Sequence, residues 1–200
     1  MIVSHPDFVS HIEALVGELE SSTDAEIVVV AARRSGSYRD VRLACAAGID
    51  VAALLFLLYA PLSFHPASIP LYLLLLGLGA WWLAGRSPAL TRALTRKGRR
   101  EGQVIQAARA AFVEEAVHGT RGRTGVLVYL SELEQRLVLV RDLGLDGKAP
   151  GSAWNGLDLR ASSLEELEGS LRAIGAVLAE HVPASEDNPN EIPNAPRVRS

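Results

Sequence analysis

The sequence predicts an α/β domain, a small mixed sheet flanked by helices, interrupted by an inserted two-helix hairpin that crosses a membrane. Three observations lead there. Between Leu43 and Gly85 the chain has no Lys, Arg or Glu; beyond Cys45 and two tyrosines, its titratable side chains are Asp50 and His65. Ten of the 20 Lys and Arg residues crowd around that stretch: Arg33, Arg34, Arg39 and Arg42 before it, and Arg86, Arg92, Arg96, Lys97, Arg99 and Arg100 after it. The polar segments on either side each hold too little for a sheet. Joined, they supply a strand, a crossover helix, an antiparallel strand pair and further helices, enough for α/β layers.

The first polar segment opens with a helix over 4–20, which puts Phe8, Ile12, Leu15, Val16 and Leu19 on one face. The run "AEIVVVAA" at 25–32 is almost continuously apolar and β-branched, the pattern of a strand covered on both faces. The first 20 residues lack a basic stretch followed by an apolar one, so no signal peptide is expected there.

The apolar stretch divides into two spans, 43–60 and 67–85. At about 1.5 Å per residue each covers roughly 27–29 Å, close to the ~30 Å hydrocarbon core of a bilayer. The link "PLSFHPASIP" holds three prolines, which stop one helix and start the next. A buried hairpin in a soluble protein is the alternative, but a core helix of this length normally keeps a polar stripe. "LYLLLLGLGAWWLAG" has none, and Trp81 and Trp82 stand where an interfacial aromatic belt would lie. Both basic clusters flank the outer ends of the hairpin and the link carries none. The expectation is two spans in the inner (cytoplasmic) membrane, both termini cytoplasmic. The polar pieces then share one compartment, as a discontinuous domain of 1–40 and 86–182 around a hairpin of 41–85.

Beyond the hairpin, 101–118 reads as a helix with Val104, Ala108, Phe112 and Ala116 on one face. Residues 125–130 and 136–142 read as strands joined by the polar link "SELEQ". Strand 26–32 should run parallel to 125–130. A last helix over 163–182 turns Leu164, Leu167, Leu171, Ile174, Leu178 and Val182 inward, with Ser163 and Glu166 as a capping box. The tail, 183–200, has four prolines and few apolar residues, and is expected to be disordered.

The candidate chemistry is acidic. Glu132, Glu134, Asp142 and Asp146 lie around the ends of the strand hairpin. Clustered carboxylates suit a divalent cation such as magnesium or calcium, or a shared proton in acid–base work. The alternative is ordinary turn residues, with Glu134 or Asp142 paired to Arg123, Arg136 or Arg141. No EF-hand spacing, His-x-x-x-His pair or paired cysteines add to the metal case, and Ser131 lacks a Gly-x-Ser-x-Gly context. "GTRGRTG", 119–125, lacks the Lys-Ser/Thr ending of a P-loop and precedes a strand, so it reads as a turn.

Asp50 falls inside the first span, where a charge costs a few kcal/mol or more. It is either a proton, ion or partner-helix contact, or a protonated carboxyl bonded within the hairpin, or it lies near the interface of a span that begins later. Gly77 and Gly79 would let helices approach closely. Arg86, Arg92, Arg96, Lys97, Arg99 and Arg100 would attract anionic lipid headgroups at the bilayer surface. The net charge of −3 gives no global basic balance for nucleic acid, and a single cysteine excludes an intramolecular disulfide.

The stretch "GTRGRTGVLVYLSELEQRLVLVRDLGLDGKAPGSAW" resembles the core of the TPM domain family. The matching elements are the run Arg123 to Leu127, the Ser-x-x-Glu turn Ser131 to Glu134, Asp142 after the second strand, and Trp154. Upstream, "AEIVVVAARRSGSYRD" is similar to the family's opening strand and its Ser-x-x-Tyr-x-Asp segment. The tail's "NEIPN" resembles an ending of a bacterial branch with a membrane hairpin inside the domain. The resemblance covers roughly 20–42 and 100–182, and implies a layered TPM-type α/β fold. Some members are described as acid phosphatases, several bind divalent cations, and others assist or modulate a membrane complex. Better-known members expose the domain on the non-cytoplasmic side, whereas the charges here put it in the cytosol. The functional expectation is a non-enzymatic accessory or assembly factor for another membrane protein, partnered by that protein or by a second copy. The alternative is a metal-dependent, phosphatase-like hydrolase using the Glu134/Asp142 region.

Overall fold

A computed structural model describes residues 2–3, 5–61 and 64–199. Leu62 and Ser63 of the expected link and Ser200 of the tail lie outside the described residues. In chain order the elements are α1 (Phe8–Glu20), β1 (Ile27–Ala32), α2 (Arg39–Tyr59), α3 (Ile69–Arg86), α4 (Pro88–Leu94), α5 (Lys97–Glu114), β2 (Val126–Ser131), β3 (Arg136–Arg141), α6 (Leu143–Asp146), α7 (Gly151–Trp154), α8 (Leu164–His181) and β4 (Arg197–Arg199). They form two compact units, Met1–Ser35 with Glu101–Ser200, and Gly36–Arg100. The units divide at 35 and 100, where the sequence placed the edges at 40 and 86. The difference is α4 and the basic stretch around it, which fall in the second unit.

The first unit is a mixed four-stranded sheet in the order β3-β2-β1-β4. β1 and β2 pair in parallel from Ile27 opposite Val126 to Ala32 opposite Ser131. β2 and β3 form the antiparallel hairpin, from Val126 opposite Arg141 to Ser131 opposite Arg136. Every residue of β1 and β2 is buried, as their continuous apolar runs require. Alternation sends Ile27, Val29 and Ala31 with Val126, Val128 and Leu130 to one face, under α1 and α8. It sends Val28, Val30 and Ala32 with Leu127 and Tyr129 to the other, under Val104, Ala108 and Ala111 of α5. Leu167, Leu171, Ile174 and Leu178 of α8 are fully buried, each contributing about 1.5–3 kcal/mol of apolar transfer.

Two local readings are corrected. The helix expected over 101–118 runs Lys97–Glu114, because Ala116 adopts a left-handed conformation (φ 53°) and a short turn at Val117–Gly119 follows. That reversal buries Val117 completely beneath the sheet. The capping pair at α8 is shifted by one residue. Ser163 Oγ accepts the Glu166 N–H at 3.2 Å, but the Glu166 carboxylate reaches the N–H of Ser162, 2.8 Å away.

The larger correction is the tail. Rather than being disordered, Arg197–Arg199 adds to the sheet as a parallel edge strand beside β1, Val30 opposite Arg197. Its arginines are anchored from α5: Arg199 to Glu114 (2.6 Å) and to Glu115 (2.6 Å), and Arg197 to Glu115 (3.3 Å). The segment before it is tied to Glu26, as described below.

The second unit holds α2 and α3, which lie within the 21-residue stretches Arg39–Tyr59 and Pro66–Arg86, whose 18-residue windows have mean hydropathy 2.1 and 1.7. Both are long and apolar enough to cross a membrane. Their large side chains face outward: Leu43, Val51, Phe56 and Leu58 on α2, and Leu74, Leu78 and Leu83 on α3, are all exposed. The two run antiparallel, because Arg42 meets Gly85 while Asp50 meets Gly77.

Candidate functional site

The four carboxylates singled out in the sequence do not converge. β3 has six residues, about 20 Å at ~3.3 Å each, and it separates Glu132 and Glu134 at the hairpin turn from Asp142 and Asp146 at the opposite end. Among the described residues, no three His, Cys, Asp or Glu side chains are grouped to hold a metal ion.

At the turn end, Glu134 is buried (3% exposed). It accepts a hydrogen bond from the Ser131 hydroxyl, and its two oxygens accept the Ser35 N–H at 3.1 and 3.2 Å. Ser35 Oγ lies 2.7 Å from Ser131 Oγ and 3.3 Å from the Tyr129 hydroxyl. With one proton to give, Ser35 can donate to Ser131 and accept from Tyr129, so a line of hydrogen bonds ends on Glu134. Ser131 is fully buried, which makes it a support rather than an accessible nucleophile. Glu132 accepts the Val3 N–H at 2.9 Å. The same corner carries Arg136, which pairs with Glu101. Ser35 and Glu101 are the residues at which the chain leaves and re-enters the sheet unit. Glu134 and Arg136 therefore hold both junctions at one corner, where the parallel strands β1 and β2 end.

At the far end, Asp142 is buried and forms a two-point pair with Arg123, Nε to Oδ2 at 2.7 Å and Nη2 to Oδ1 at 2.9 Å. Asp142 Oδ1 also accepts the Leu143 N–H at 2.8 Å and so caps α6. Burial pushes this carboxyl up, but the Arg123 guanidinium and the Leu143 N–H together outweigh burial and hold it below the usual carboxylate range. Asp146 sits 3.7 Å from Arg141, whose guanidinium lies over the Trp154 ring at 5.0 Å. Of the pairings weighed from the sequence, Asp142 with Arg123 is formed.

A further acidic group escaped the sequence reading because half of it comes from the tail. Glu20 and Glu26 line a polar cavity of about 200 Å³ with Gly17, Ser21, Asn188, Asn190 and Asn194. Glu26, 6% exposed, accepts the N–H groups of Glu191 (3.0 Å) and Ile192 (3.2 Å). Glu20 accepts the Ile27 N–H at 2.7 Å. Asn188 donates to the carbonyls of Glu20 and Thr23. Burial raises both carboxyls; for Glu20, burial and the neighbouring Glu26 outweigh the Ile27 N–H and push it up to about 8. The signal available in the sequence was "AEIVVV", a glutamate at the mouth of a buried strand, which needs partners from elsewhere.

This predicts a pH dependence. A raised folded-state value means the folded chain keeps the Glu20 proton after the unfolded chain has lost it. Stability then falls as pH rises from about 4.5 toward about 8. Glu20→Gln removes that loss and keeps an acceptor for Ile27. The variant should be more stable than the parent by about 1–2 kcal/mol near pH 9, allowing for its partial exposure, and equal to it near pH 5. Thermal melts at both pH values check this; a constant difference would refute it.

In the helix pair, the Asp50 carboxylate lies directly against Gly77. A Cβ there would come 2.5 Å from Oδ2, so a larger residue at 77 would have to push the Asp50 carboxylate aside. Among the described residues, Asp50 Oδ1 accepts no hydrogen bond. The basic residues pack on aromatic rings and on Asp40: Arg86 over Trp82 at 3.6 Å, Arg42 over Trp81 at 5.7 Å, and Arg99 Nη2 to Asp40 Oδ1 at 3.0 Å. Arg96 is exposed.

No family model matches the chain, and no curated protein sequence matches it. Among solved structures, it is similar to the NMR structure of BA42 protein from the psychrophilic bacterium Bizionia argentinensis. The identity is 15% and the TM-score 0.54, over 95% of this chain and 91% of that one. At that identity the likeness is one of fold.

Proposed function

We propose that the chain is a membrane-anchored domain of TPM type, facing the cytosol and acting as a non-enzymatic accessory or assembly factor for another membrane protein. The observation that carries this is the double clamp at the sheet corner. Glu134 fixes Ser35 and Arg136 fixes Glu101, so both ends of the helix-pair insertion are held together by buried or half-buried polar contacts. Such a corner suits a tether, because both ends of the insertion start from one place on the sheet unit. Within 36–42 and 86–100 there are eight Lys and Arg residues against Asp40 alone, and 60–68 contains none. By the positive-inside rule both helix ends that join the sheet unit lie on the cytosolic side of the inner membrane. The TPM assignment, in the bacterial branch with an internal hairpin, is supported by what the matching residues do. Arg123 and Asp142 pair, and Ser131 and Glu134 bond, each as part of the frame.

Cysteine labelling tests the placement. In a Cys45→Ser background, His65→Cys should react with an impermeant maleimide on intact cells, and Glu180→Cys only after permeabilisation. The reverse pattern overturns the reading. The solubilised full chain should also migrate in a complex heavier than itself.

A second reading, a metal-dependent phosphatase-like hydrolase, draws on the hydrogen-bonded line from Tyr129 through Ser35 and Ser131 to Glu134. The tether reading predicts that the full chain, supplied with magnesium, manganese or calcium, hydrolyses a generic phosphomonoester no faster than its Glu134→Gln/Asp142→Asn variant. A metal-dependent rate lost in that variant would promote the hydrolase.

A further inference from the structure

The helix pair contains a groove of about 850 Å³, within the ~300–1,000 Å³ usual for ligand sites. Small residues line it, Ala44 and Gly48 of α2 and Gly79, Ala80 and Ala84 of α3, together with the larger apolar Ile49, Leu75 and Leu83. Leu90 and Leu94 of α4 line the basic end, where Asp40 and Arg99 supply the polar lining. Asp40 and Arg99 pair with each other and cancel in charge. Residues 86–100 carry six Lys and Arg and no Asp or Glu, so the charge at that end is cationic, and the exposed Arg96 stands in the chain between the groove-lining Leu94 and Arg99.

The depth of the groove is informative. On α2 it runs from Asp40 to Ile49, and on α3 from Ala84 back to Leu75. Nine residue steps at ~1.5 Å give about 14 Å, roughly half of a ~30 Å hydrocarbon core. The groove is therefore one leaflet deep, apolar below and cationic at its mouth. A helix from a second copy would need a seat for the whole span of about 20 residues. An acyl chain needs one leaflet, and an anionic headgroup needs cations at the mouth.

We propose that this groove is a binding site for an anionic phospholipid of the cytosolic leaflet, with an acyl chain along its small lining residues and the phosphate held by Arg96. The proposal rests on the membrane placement argued above and goes beyond general attraction to a basic surface, because it requires a lipid of defined headgroup in a defined cleft.

Gly48 and Gly79 allow a direct test. A Cβ at either would meet nothing within 4 Å, so Gly48→Leu/Gly79→Leu fills the groove without a clash in the helix pair. The full chain is reconstituted into phosphatidylcholine vesicles containing a minor fraction of either brominated phosphatidylglycerol or brominated phosphatidylcholine. Quenching of tryptophan emission is then read; Trp81 adjoins the groove-lining Ala80. The parent should be quenched more strongly by the phosphatidylglycerol, and the filled variant equally by both. Arg96→Gln should also lose the headgroup preference; if it keeps it, the phosphate assignment is wrong. Equal quenching of the parent by both lipids overturns the site. So does efficient oxidative dimerisation through Cys45, which lines the groove and would report a second copy there. Flotation with the vesicles separates these failures from failure of the membrane placement: a parent chain that does not float removes both readings, whereas one that floats without headgroup preference removes only the lipid site.

Discussion

A chain ended after Ser185 should lose about 3–4 kcal/mol of folding stability, a large part of the roughly 5–15 kcal/mol a domain has in reserve. The loss has three sources. Glu26 is buried at 6% exposure and takes the N–H groups of Glu191 and Ile192 as partners. Without them a buried carboxyl is left short of donors, which costs about 1–3 kcal/mol. Ile192 packs against the cluster under α5, and its removal uncovers part of that cluster. Arg197 and Arg199 leave Glu114 and Glu115, but these pairs are partly exposed and each contributes less than about 1 kcal/mol. Removing β4 also opens the edge of β1, a fully buried apolar strand, so the shortened chain should aggregate more readily. Denaturant titration of the detergent-solubilised parent and shortened chains, followed by circular dichroism, reads the difference. An unchanged midpoint would mean that the tail only rests on the sheet.

The tail also marks where the sequence stops being legible. Four prolines and few apolar residues looked like disorder. What holds it is polar: a glutamate at the start of β1, backbone N–H groups and two arginines reaching glutamates more than 80 residues away. Composition does not encode such pairings. β1, β2, β3, α1 and α8 were readable because each carries its own period or apolar run. The parallel pairing of β1 with β2 was expected from the helical crossover that joins them.

The acidic residues show a different limit. Glu132 and Asp142 are ten positions apart and look like neighbours, yet a strand is a rigid spacer, and residues at its two ends cannot share an ion. Arg123 with Asp142 was one of several pairings open from the sequence. Its selection depends on Arg123 taking a left-handed conformation (φ 53°) that turns its side chain to the start of α6. Glu134 was expected near arginines, and the structure adds Ser35, 99 residues earlier. That contact is visible only once β1 and β2 lie side by side.

Gly144→Ala should destabilise the sheet unit by about 3 kcal/mol, while Gly147→Ala, three residues on, should change it by less than about 0.5 kcal/mol. A Cβ on Gly144 would lie 2.3 Å from the Gly122 carbonyl oxygen and 2.5 Å from that of Arg123. Both obstacles are backbone, so no side chain can swing aside. The Gly144 N–H donates to the Arg123 carbonyl at 2.9 Å, and the start of α6 must move away from it. That movement withdraws the next residue, Leu145, from full burial and pulls Asp142 from Arg123. Gly147 meets nothing within 4 Å and has an ordinary helical conformation (φ −83°), so alanine fits there. The two variants also differ in acid. Asp142 is held below its ordinary range in the folded chain, so its pair contributes stability above about pH 4 that is lost as pH falls through the folded value. The parent and Gly147→Ala should show that acid loss. Gly144→Ala, with the pair already loosened, should show less of it. Melting curves from neutral to acid pH decide the matter: equal stability of the two alanine variants, or an undiminished acid loss in Gly144→Ala, would show that the loop and α6 are not locked together by this contact.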